Sequence, residues 1–100
     1  MKILLTLTLS TLLIFSFPGW GADFDKGLAA AQSGDFETAL REWTPLAEQG
    51  DANAQFGLGF MYDQGDGVPQ DFKTALIWYT LAAEQGVAKA QFNLALMYEQ

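Results

Sequence analysis

Histidine and cysteine are both absent from this 100-residue chain. That removes the commonest catalytic base and metal ligand, together with all thiol and disulfide chemistry. The three serines, Ser10, Ser16 and Ser33, are followed three residues later by Leu13, Gly19 and Phe36. None forms a Ser-x-x-Lys nucleophile, and no Ser/His/Asp set can be built without histidine. Asp63, Asp66 and Asp71 flank a glycine-rich stretch and invite a calcium reading. A calcium loop wants oxygen ligands at alternate positions, but the positions after Asp63 hold Gly65 and Gly67. Turn chemistry, with Asp71 as a helix cap, accounts for these acids better. Gly65-x-Gly67 also lacks the lysine and the preceding strand of a phosphate cradle. The expectation is a chain that is not an enzyme and carries neither cofactor nor metal.

The elements that would position any remaining chemistry are repeated. Ala54–Gln64 (AQFGLGFMYDQ) lies over Ala90–Gln100 (AQFNLALMYEQ) at an offset of 36, with seven of eleven positions identical. Asp35–Gly50 lies over Asp71–Gly86 at the same offset, with ten of sixteen identical. A self-copy at this period is the signature of stacked helical hairpins, none of which can bury its apolar face alone. The divisions are an N-terminal hairpin over 22–53 acting as a cap, a full repeat over 54–89, and the first helix of a further, incomplete repeat over 90–100. The first unit is shorter in its turn, Ser33-Gly34-Asp35. Its Ala22, Phe24, Gly27 and Gln32 align with Ala54, Phe56, Gly59 and Gln64 at an offset of 32.

In the full repeat, Ala54, Leu58, Met61 and Tyr62 fall on one apolar face of a helix over about 53–63. Gly57 and Gly59 weaken a free helix by about 1 kcal/mol each, so close helix–helix approach is their best explanation. The second helix starts after Asp71, with Phe72, Ala75, Leu76, Tyr79 and Ala83 as its inner face. Gly50 and Gly86 end the second helices in left-handed conformation. Pro45 falls inside the helix 36–49, and a bend is expected there rather than an end, because the pattern resumes after it.

The residues of the full repeat closely resemble the Sel1-like repeat, a short relative of the tetratricopeptide repeat. The resemblance rests on Ala54-Gln55-x-x-Leu58-Gly59, Met61-Tyr62, Gly65-x-Gly67-Val68, Ala75-x-x-Trp78-Tyr79 and the Ala82–Gly86 ending. It covers the full repeat and the C-terminal stub; the first unit is closer to a generic tetratricopeptide hairpin. It implies an all-α fold, a right-handed α-α solenoid of tetratricopeptide-like helical hairpins. It implies an adaptor that binds a protein or peptide. Some exported, cysteine-rich relatives interact with β-lactams, so a small or cell-wall-derived ligand is the alternative; this chain lacks their cysteines.

Within that fold, Phe56, Phe60 and Phe92 share the first-helix surface that lines the concave side, where one of them can anchor a peptide. Asn93 stands at the family's usual asparagine position, replaced in the full repeat by Gly57. It is expected to bond neighbouring backbone or to clamp a ligand's main chain. Trp78, where the first unit has Glu42, is expected to pack forward near Phe92 or Leu94, and is otherwise a binding residue. Trp43, Tyr62, Phe72 and Tyr79 are read as core.

Met1–Gly21 has the order of a secretory signal peptide: Lys2, an apolar run over Ile3–Phe17, then the Gly19-Trp20-Gly21 exit. Cleavage after Gly21, with Ala22 as the second-ranked site, implies a periplasmic or secreted protein with no other membrane association; retention of the segment as an anchor is the alternative reading. From Ala22 onward four cations face twelve acids, a formal charge of −8. Nucleic acid and anionic membranes both reward clustered Lys and Arg, so neither is an expected partner. In the last helix some of Phe92, Leu94, Leu96 and Met97 are expected to face water with no following helix to cover them. The expectation is either a fragment of a longer repeat array or a helix that docks against a partner or a second copy, so self-association through it is one of the expected outcomes.

Overall fold

A computed structural model describes residues 21–99. The signal-peptide reading of residues 1–20 lies outside the described residues. Five helices follow one another: α1 (Phe24–Gln32), α2 (Phe36–Glu48), α3 (Ala52–Gln64), α4 (Phe72–Glu84) and α5 (Ala88–Tyr98). There is no strand among the described residues. Each helix packs chiefly on its neighbours in sequence, the one-dimensional order of a solenoid. Among the described residues no helix is long and apolar enough to cross a membrane.

The helix boundaries follow local chemistry. Asp23, Asp35, Asp51 and Asp71 cap α1 to α4, each accepting hydrogen bonds from backbone N–H groups of the first turn. Val87, which takes the place of Asp51 one repeat later, gives α5 no side-chain cap. At the ends of α2 and α4, Gly50 (φ +103°) and Gly86 (φ +95°) adopt the expected left-handed turn. There the Asp51 and Val87 N–H groups reach back to the Leu46 and Ala82 carbonyls. The following Ala-Gln pair seals the same ends. Gln55 donates to the Ala47 carbonyl at 3.2 Å and Gln91 to the Ala83 carbonyl at 3.0 Å, while Ala54 and Ala90 are completely buried. Carbonyls that a helix end leaves open are thus satisfied by the next hairpin. The α2 helix runs through Pro45 without ending.

The core is a row of small contacts around two aromatic rings. Ala39, Trp43, Ala47, Ala54, Leu58 and Met61 form one buried cluster, and Ala75, Tyr79, Ala82 and Ala90 the other. The glycines behave as expected. A Cβ on Gly57 would stand 2.6 Å from the Trp43 ring, and one on Gly59 would stand 2.6 Å from the Tyr79 ring. Trp43 also touches Gly27 of its own hairpin, where a Cβ would meet it at 2.5 Å. Each ring is therefore flanked by two helices, one from its own hairpin and one from the next.

One assignment is corrected. Phe72, read as an inner-face residue, is 55% exposed, because in the first turn of α4 it borders an open hollow shared with Phe60 and Leu96; Ala82 takes a core position instead. Some of the apolar residues on α5 face water as expected, namely Phe92 and Leu96, whereas Leu94 and Met97 pack against the second cluster.

Candidate binding groove

The first helix of each hairpin, α1, α3 and α5, contributes to one side of the stack. α3 is apolar on both sides because it lies between α2 and α4. Ala54, Leu58 and Met61 face the first core cluster; Phe56 is half-buried against the second, and Phe60, one turn on, is exposed. A trough of about 780 Å³ runs over this side, walled by Phe24, Leu28, Phe36, Phe56, Phe60 and Val87. It is open rather than enclosed. Asp66 and Lys89 also line it. Across α5 a second hollow is shared by Phe56, Phe60, Lys89, Phe92 and Asn93. A third lies towards the α3–α4 loop, among Phe60, Asp63, Gln70, Phe72, Asn93 and Leu96.

The aromatic walls are held in place by stacking. Phe24 lies against Trp43 at 5.5 Å between ring centres, and Phe56 against Tyr79 at 5.8 Å. Phe60 leans on Phe56 at 6.4 Å and is still 44% exposed. Trp43 is fixed in turn by donating its indole N–H to the Phe24 carbonyl at 3.1 Å.

A polar chain runs beneath the third hollow. Asn93 Nδ2 donates to Tyr79 Oη at 3.3 Å, and that hydroxyl donates to Asp63 Oδ2 at 3.1 Å. Burial above all, with the Asp63 carboxylate adding to it, lifts the Tyr79 hydroxyl well above the ordinary phenol range, against the opposing Asn93 bond. The hydroxyl stays protonated and remains a donor. Gln70 Nε2 donates to the Asp63 carbonyl at 2.8 Å, tying the loop to the end of α3.

Of the candidate site residues, Phe56, Phe60, Phe92 and Asn93 come together on this surface. Trp78 does not. It packs back onto the Trp43 cluster rather than forward near Phe92 or Leu94. Its counterpart Glu42 shows the same direction, accepting from the Asp23 N–H at 3.0 Å and pairing with Lys26 at 3.8 Å. This helix position faces the start of its own hairpin. Asn93 differs from expectation too, bonding a buried side-chain hydroxyl in place of backbone.

Phe24, Leu28, Phe36 and Asp63 were missed. Phe24 and Leu28 were within reach, since the offset of 32 that aligns the first unit pairs them with Phe56 and Phe60. Asp63 was weighed only as a metal ligand. Among the described residues no group of three potential metal ligands exists, and Asp71 is engaged as a cap by Thr74 and Lys73.

The Sel1 repeat family model matches residues 52–87 and 88–100. No curated protein and no solved structure matches the chain.

Proposed function

We propose that this chain, whose residues 52–87 and 88–100 match the Sel1 repeat model, is an exported scaffold that holds a peptide segment of a protein partner in its aromatic trough. Sel1 repeats are generally protein–protein interaction scaffolds. The observation that carries the peptide reading is the trough itself: successive hairpins place Phe24, Leu28, Phe56 and Phe60 along one open surface. Exposed aromatics on a rigid frame are the anchors that dominate protein interfaces. An extended segment can lie along a groove of this kind, whereas a small ligand is better served by an enclosed pocket. The absence of histidine and cysteine and the lack of a nucleophile motif support a binding role without catalysis.

A displayed peptide library selected on the protein tests this. The expected result is enrichment of sequences with large apolar anchors whose binding falls at least tenfold in Phe60→Ser. No enrichment, or enriched peptides indifferent to Phe56 and Phe60, would refute the groove. The export reading rests on Lys2, the apolar run and Gly19-Trp20-Gly21. It predicts a mature N-terminus at Ala22, read by mass; a cytoplasmic product beginning at Met1 would contradict it.

A further inference from the structure

Asp63 is a half-buried carboxylate, and among the described residues no cation pairs with it or lines its hollow. One oxygen accepts the Tyr79 hydroxyl. The ion pair found among the described residues joins Lys26 to Glu42, on another part of the molecule. A neutral hydroxyl does not balance a carboxylate's charge, and partial burial weakens the screening that water would give it. The same hollow is walled by Phe60 and Phe72, respectively 44% and 55% exposed, and by Leu96. It opens beside the aromatic trough, with Phe60 lining both.

We infer that this hollow receives a basic side chain of the bound peptide, an arginine or lysine, next to the apolar residue seated in the trough. The inference rests on the peptide-groove reading and adds the chemistry of the partner. A guanidinium meets both features of the hollow at once. It bonds a carboxylate with charge-assisted geometry and lies flat on aromatic faces. The ammonium of lysine does the same with fewer bonds. Asn93, already turned to Tyr79, forms part of the same wall. Asp66 adds a second acid at the edge of the trough. Lys89, the cation of the trough, lies on the α5 side in the other two hollows and does not line this one. The formal charge of −8 from Ala22 onward draws a basic partner from a distance.

The test is a titration of the isotope-labelled protein, followed by NMR, with two peptides that differ only in charge. One is acetyl-Phe-Ala-Arg-amide. The other replaces arginine by citrulline, which keeps the shape and loses the charge. The expected result is about tenfold tighter binding of the arginine peptide at low salt, narrowing as salt is raised. Shifts should centre on Asp63, Phe60 and Asn93. Asp63→Asn keeps an acceptor for Tyr79 and is expected to abolish the difference between the arginine and citrulline peptides. Equal affinity of the two peptides for the unaltered protein, with shifts along the trough, would overturn the basic-residue inference and leave the groove standing. Absence of shifts at Phe56 and Phe60 with either peptide would overturn both. The wild-type comparison decides the question even if the variant is unstable.

Discussion

Trp43 and Tyr79 occupy the same repeat position, yet their neighbours differ in a matched way. The larger ring faces Gly57, where a Cβ would stand only 2.6 Å away. The smaller ring faces Asn93, which uses the space and bonds the hydroxyl. Size and polarity are therefore paired across each interface between hairpins. Gly57→Asn alone is expected to destabilise the fold by about 1–3 kcal/mol through overpacking. Trp43→Tyr combined with Gly57→Asn should recover about 1 kcal/mol or more relative to the sum of the single changes. Strict additivity in chemical denaturation would contradict the pairing. A second residue-scale prediction concerns the caps. The Thr74 hydroxyl, followed by the Thr74 N–H, holds Asp71 below the ordinary carboxylate value, and Thr38 does the same for Asp35. A carboxyl lowered in the native state contributes stability above its unfolded pKa, and that contribution is lost as pH falls through the native value. Thr74→Val should raise the Asp71 pKa towards the ordinary value in a carbon-detected titration. An unmoved pKa would show that the hydroxyl is not the cause.

At the scale of elements, the sequence was most legible where an unfavourable residue needed a reason. Two glycines inside α3 implied a close approach, and both face an aromatic ring. Four aspartates each preceding an apolar run marked four helix starts, although only Asp71 was identified as a cap beforehand. Direction was less legible than periodicity. Trp78 was placed on the correct helix but assigned to the wrong neighbour, because every second helix lies between two first helices and spacing alone does not say which one a side chain meets. Phe72 was misread because periodicity extends into the first turn of a helix while packing does not. Glu42 could not have been found, since its partner Asp23 lies in another helix cap and the contact depends on the hairpin closing. Pro45 remains a cost in an otherwise regular α2, where it forgoes a hydrogen bond and crowds the Arg41 carbonyl. Pro45→Ala is expected to stabilise the fold by about 1–3 kcal/mol. An unchanged or lower melting temperature would show that the surrounding packing requires the ring.

At the scale of the whole molecule, the two ends of the stack are unequal. α1 is capped by Asp23 and anchored through Glu42. Among the described residues α5 packs chiefly on α4, has no side-chain cap, and leaves Phe92, Leu96 and Tyr98 in water. Sedimentation of residues 22–100 is expected to show concentration-dependent association through this surface, reduced by Phe92→Ser. A monomer at every concentration would count against it.

The matched rings also bear on the loss of a repeat. An in-frame removal of 36 residues that joins Asn53 to Ala90 would leave the helical pattern unbroken. The shortened protein would set Asn93 against Trp43, at a point where the intact stack has no room for even a Cβ. Loss of one copy is thus penalised by the first contact it creates.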